Sequence, residues 1–111
     1  MKTVSLKEGM PLVHQALQQM SQELAVARSR GHELVKLIHG YGSTGEGGEI
    51  RVAVQKQLRE MAERGEIRGF IFGENWTRSD EQAWKLLRSQ PELKQDKDLG
   101  RGNRGITIVV L

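Results

Sequence analysis

The residues best equipped for chemistry stand together in His39-Gly40-Tyr41-Gly42-Ser43-Thr44-Gly45-Glu46-Gly47-Gly48-Glu49-Ile50-Arg51. An apolar run precedes this segment and an amphipathic one follows, so the spacing predicts a strand-to-helix loop, the place where ligands collect in open α/β sheets. A helix beginning there presents unpaired N–H groups and a partial positive charge of about +0.5, and glycines let those amides approach a phosphate closely. Arg51, in the first helical turn, opposes the helix dipole, a conflict that a bound anion would remove. Gly40, Tyr41, Gly42, Ser43, Thr44, Gly45 and Arg51 are therefore the expected phosphate-binding set. Tyr41 could also stack on an unpaired base, a contact worth ~1–3 kcal/mol where it occurs. His39 adds an imidazole that can carry a proton near neutral pH.

Two nucleotide motifs can be tested against the same residues. Gly40, Gly42 and Gly45 satisfy G-x-G-x-x-G in a strand-to-helix context, but Glu46-Gly47-Gly48 delay the helix. The acidic residue that should follow about 20 positions later is also missing, since Glu66 precedes the next strand and Glu74 follows too late. A Walker loop needs Lys and Ser/Thr after its last glycine, where Gly48 and Glu49 stand. Nucleotide hydrolysis is not supported, while a nucleotide or dinucleotide pocket stays an alternative to be tested by ligand binding.

The elements that must hold this loop are readable from periodicity. Thr3 to Leu6 reads as a short strand, broken by Gly9-Met10-Pro11. Val13, Leu17, Met20, Leu24 and Ala27 form an apolar stripe at helical spacing, which Gly31 ends. Glu33 to His39 is a nearly continuous apolar run, as an interior strand requires. Ile50, Val54, Leu58 and Met61 give a second helix, closed by Gly65. Ile67 to Phe72 is a third strand. A third helix is capped by Ser79 with Gln82, uses Ala83, Trp84, Leu86 and Leu87, and stops at Pro91, with Trp76 and Trp84 read as packing residues. Lys94 to Gly105 reads as a charged surface loop, and Ile106 to Leu111 as a β-branched final strand. The order β-α-β-α-β-α-β predicts one α/β domain over residues 1–111, a two-layer or three-layer sandwich with a mostly parallel four-stranded sheet.

Composition narrows the chemistry further. In 111 residues there is room for one core, and 37% hydrophobic with 28% charged residues suits a folded domain. The absence of cysteine removes disulfides, zinc-thiolate sites and thiol nucleophiles. His14, His32 and His39 include no i, i+4 pair, so no metal site and no cofactor are expected. The longest apolar run, Ile106 to Leu111 broken by Thr107, is far short of the ~20 residues that span a bilayer, and a cytoplasmic protein is expected. A net charge of +3 is compatible with a polyanionic partner without requiring one. Of 13 glycines, eight fall in Gly40–Gly48 and Gly100–Gly105. In the second segment Arg101, Asn103 and Arg104 could extend a phosphate-binding surface.

His39-Gly40-Tyr41-Gly42-Ser43-Thr44-Gly45, with Ile50-Arg51 behind it, resembles the HGxGxG…LR signature of the small MutS-related (Smr) domain family. Gly105-Ile106-Thr107-Ile108-Val109-Val110-Leu111 is similar to that family's closing strand, and the segment around the third helix reads as an addition. The resemblance implies a fold similar to the C-terminal domain of translation initiation factor three and binding to nucleic acid, RNA or DNA, at the phosphate backbone. It also implies the alternative of an endonuclease, since several Smr domains nick or cut nucleic acid. The family's second motif, LDxHG, is absent. Val4-Ser5-Leu6-Lys7-Glu8-Gly9 stands in its place, with Ser5 at the Asp position, leaving His39 and Glu8 as the candidate catalytic pair. A protein-interaction module with a purely structural glycine loop is the remaining alternative, and neither oligomeric state nor a protein partner can be read from these residues.

Overall fold

The computed structural model describes residues 1–41 and 47–111. Four strands alternate with three helices: β1 (Lys2–Ser5), α1 (Val13–Ser29), β2 (Leu34–Ile38), α2 (Gly47–Glu63), β3 (Gly69–Phe72), α3 (Glu81–Ser89) and β4 (Ile106–Val110). Short 3-10 turns at Gly73–Asn75 and Pro91–Gln95 flank α3.

The sheet has the order β1-β2-β4-β3 and is mixed, which corrects the mostly parallel expectation. β1 and β2 are parallel, whereas β4 runs antiparallel to both of its neighbours. The reason lies in how far the chain travels between β3 and β4. α3 descends beside the sheet until Gln90 Nε2 reaches Glu33 Oε2 at 3.0 Å, next to the start of β2. A parallel β4 would begin there. Instead the 3-10 turn and residues 96–105 climb back, past Lys36, until Gly105 O accepts from His39 N at 2.9 Å at the far end of β2. The chain therefore enters β4 from the end it left in β3, and the strand runs the other way. Residues 94–105, expected as a charged surface loop, are this return leg, with Asp98 buried.

Alternation along the strands sends side chains to two faces, each with its own core. Val35, Leu37 and Val109 point to α1 and α2, where Met20, Leu24, Val54 and Leu58 close the layer. Leu34, Ile106 and Ile108 point to α3, where Trp76, Ala83, Leu87 and Leu93 cover them. The outcome is three layers. The apolar stripes of α1 and α2 are the faces that pack together, as their spacing requires. Trp76 is fully buried, but Trp84 is 40% exposed and is not a packing residue as expected, because it lies on the outer side of α3. The cap of α3 also moves by one residue: Asp80, not Ser79, accepts from Ala83 N at 2.9 Å.

A candidate nucleic-acid interface

The strand ends bring the predicted residues to one edge of the molecule. β1 and β2 finish side by side, since Ser5 pairs with Ile38 and Leu6 N donates to Ile38 O at 2.7 Å. β4 starts at the same edge, so residues from three distant parts of the chain meet there.

His39 follows β2 directly and points to the α1 and α2 side. It is completely buried. Its Nδ1 lies 2.7 Å from Gly40 O and its Nε2 lies 2.9 Å from Thr107 Oγ1. A carbonyl only accepts, so Nδ1 carries the proton and the Thr107 hydroxyl donates to Nε2. Burial lowers the pKa of this imidazole, and the nearby Arg51 charge lowers it further, against the opposing pull of the Gly40 carbonyl and Glu74. The ring is thus held neutral with both nitrogens engaged. As placed, it anchors the base of the loop.

Gly40 takes φ +76, a backbone state that side chains rarely adopt, and its amide donates to Gly105 O at 3.1 Å beside that of His39. The Gly40 amide is therefore satisfied within the protein. Gly105 is fixed in turn, its N donating to Asn103 Oδ1 at 2.8 Å. Gly42, Ser43, Thr44 and Gly45 lie outside the described residues.

Arg51 sits in α2 with its guanidinium Nη2 2.7 Å from Glu74 Oε2. Glu74 comes from the 3-10 turn after β3, and Glu49 stands in the first turn of α2. Because α2 already begins at Gly47, earlier than the glycines suggested, Arg51 lies past the first turn and the expected dipole conflict largely lapses; its guanidinium is balanced by Glu74 without a bound anion. The pair is incomplete: Arg51 Nε and Glu74 Oε1 are buried and have no hydrogen-bond partner among the described residues. Sequence reading missed Glu74, which follows β3 and is separated from Arg51 by 23 positions.

Glu8 is exposed, and its carboxylate has Ser5 Oγ at 3.4 Å. No hydrogen bond among the described residues joins it to His39 or Arg51. Tyr41, by contrast, is 59% exposed. With Arg101 and Arg104 it lines an open depression of about 430 Å³, beside Gly105. No ion pair among the described residues engages Arg101 or Arg104. Among the described residues, no three His, Asp or Glu side chains gather as a metal site, and no described helix is long and apolar enough to cross a membrane.

The crystal structure of the Smr domain of Thermus thermophilus MutS2 matches this chain with a TM-score of 0.60, over 100% of this chain and 98% of the other, at 24% identity. The chain has the Smr fold. No family model and no curated protein sequence matches the chain.

Proposed function

We infer that this Smr-fold domain binds nucleic acid, RNA or DNA, through the phosphate backbone at the edge where β2 ends and β4 begins. The observation that carries the reading is the meeting of Tyr41, Arg101 and Arg104 around one open depression. Residues some 60 positions apart supply an exposed aromatic face and two cations that make no ion pair among the described residues, the combination that single strands and phosphate backbones require. The resemblance of the His39–Arg51 segment to the Smr signature supports the same conclusion. Gly42, Ser43, Thr44, Gly45 and Arg51 would extend the contact, Arg51 by exchanging Glu74 for a phosphate.

Binding is favoured over cleavage because His39 is fully buried with both ring nitrogens engaged, and no hydrogen bond among the described residues joins Glu8 to it. A general base must reach the proton it removes.

Fluorescence anisotropy with labelled RNA and DNA oligonucleotides tests the reading. Affinity should fall steadily as salt rises, and Arg104→Gln should weaken binding across all sequences while reducing the salt slope by about 1. Binding that ignored salt, or an Arg104→Gln variant indistinguishable from wild type, would remove the depression from the interface.

A further inference from the structure

From Lys94 to Arg104 the chain interleaves acids and bases: Lys94, Asp96, Lys97, Asp98, Arg101, Arg104. In sequence this looks self-neutralising. The fold sorts it. Lys36, a buried lysine on β2, draws both carboxylates inward, its Nζ donating to Asp96 at 2.9 and 2.7 Å and to Asp98 at 2.6 Å. Asp96 Oδ1 also accepts from Trp76 Nε1 at 3.3 Å, and Asp98 Oδ1 accepts from Asn103 Nδ2 at 3.0 Å. All four carboxylate oxygens accept hydrogen bonds within the protein, and although Asp96 and Asp98 still line two open depressions, their charge is engaged by Lys36, while the four bases are exposed.

Those bases form a continuous strip. Arg78 joins Lys94, Lys97 and Arg101 around an open depression of about 620 Å³. Arg101 also lines the neighbouring depression with Arg104 and Tyr41. None of the five cations is in an ion pair among the described residues. The adjacent Asp80 is engaged in capping α3. At the far end Lys94 Nζ lies 5.9 Å from the ring centroid of the half-exposed Trp84.

We propose that this strip, from Trp84 across the five cations to Tyr41, is a track for single-stranded nucleic acid. The inference rests on the nucleic-acid reading above and extends it by naming the strand type and a second contact surface on the return leg after α3. Phosphates lie along the cations, and unpaired bases stack at the aromatic residues at the two ends. A duplex keeps its bases stacked on one another and gains nothing from Trp84 and Tyr41, whereas any unpaired base offers them a π face.

The test uses three fluorescein-labelled dodecamers of one mixed sequence: single-stranded RNA, single-stranded DNA, and the DNA duplex. Arg78→Gln/Lys97→Gln and Trp84→Ala alter exposed side chains outside the Tyr41 depression, and Arg104→Gln serves as the reference for it. Wild type is expected to hold the single strands at least several-fold more tightly than the duplex. The double variant should reduce the single-strand salt slope by about 1.4, at ~0.7 per phosphate. Trp84→Ala should weaken single-strand binding about tenfold, with little effect on the duplex. Single-strand affinity that responds to Arg104→Gln but not to these variants overturns the strip and leaves the nucleic-acid reading standing. A preference for the duplex overturns the single-strand assignment. Equal binding of a labelled polyglutamate with the same variant dependence overturns nucleic acid as the occupant. If no oligonucleotide binds, the underlying reading itself fails.

Discussion

Replacing Lys36 with methionine is expected to destabilise the fold by about 3–5 kcal/mol, because it leaves Asp96 and Asp98 facing the interior without the charge that balances them. Against the ~5–15 kcal/mol that holds a domain of this kind together, that is a large fraction. Lys36 is 4% exposed and Asp98 is 8% exposed, so water can replace little of what is lost. Urea unfolding followed by circular dichroism measures the change. Trp76 fluorescence gives a second probe, since its indole N–H donates to Asp96. A Lys36→Met protein as stable as wild type would contradict the account. Changing all three residues to apolar ones is a separate matter, because a buried ion cluster replaced by a well-packed apolar one is often neutral.

The same cluster fixes a pH dependence. Burial pushes the Asp98 carboxyl up, but hydrogen bonds from Lys36 and Asn103 with the Lys36 charge outweigh it and hold the group below the usual carboxylate range. Burial likewise pulls the Lys36 ammonium down, and its hydrogen bonds and attraction to Asp96 and Asp98 hold it above the usual lysine value. Asp98 therefore contributes stability that is complete above the ordinary carboxylate pKa and lost as pH falls through its depressed folded value. Lys36 contributes stability complete below the ordinary lysine pKa and lost as pH rises through its raised folded value. The cluster's contribution is flat around neutrality and fades at both extremes, and Asp98→Asn should flatten the acid limb.

Gly73→Ala should be nearly as damaging, at about 3 kcal/mol or more, because the new methyl group would overlap the Asn103 carbonyl oxygen and press on the Ile106 carbonyl oxygen at 2.8 Å. Both obstacles are backbone and cannot swing aside. The turn at Gly73–Asn75 is packed there against the entry to β4 and carries Glu74 to Arg51. Thermal melting measures the loss, and a melting point within a degree or two of wild type would mean that the turn and β4 are not in this contact.

Much of this arrangement was legible in the residues. The stripes of α1 and α2 repeat at the helical period over four or five apolar positions, long enough to exclude other structure, and the β-branched run of β4 could only be a strand. Strand direction was not legible, because it depends on how far α3 and the return leg travel and not on any local preference. Lys36 was hidden for a related reason. A single lysine in the run Leu34–Ile38 reads as a flaw in an apolar strand, since the two carboxylates that accept it lie about 60 residues away. The glycine segment stood out at once because its residue types are unusual. The partners of its neighbours, Glu74 for Arg51 and Thr107 for His39, follow from packing that no spacing rule encodes.

The most direct check on where the nucleic acid lies is a ¹⁵N–¹H correlation titration of the intact domain with a short single-stranded oligonucleotide. The account predicts that shifts concentrate on Gly40, Tyr41 and residues 94–104. It also predicts that amides at the opposite edge, around His32, Glu66 and Arg68, stay still. Shifts confined to that opposite edge, or none in the presence of saturating oligonucleotide, would contradict it.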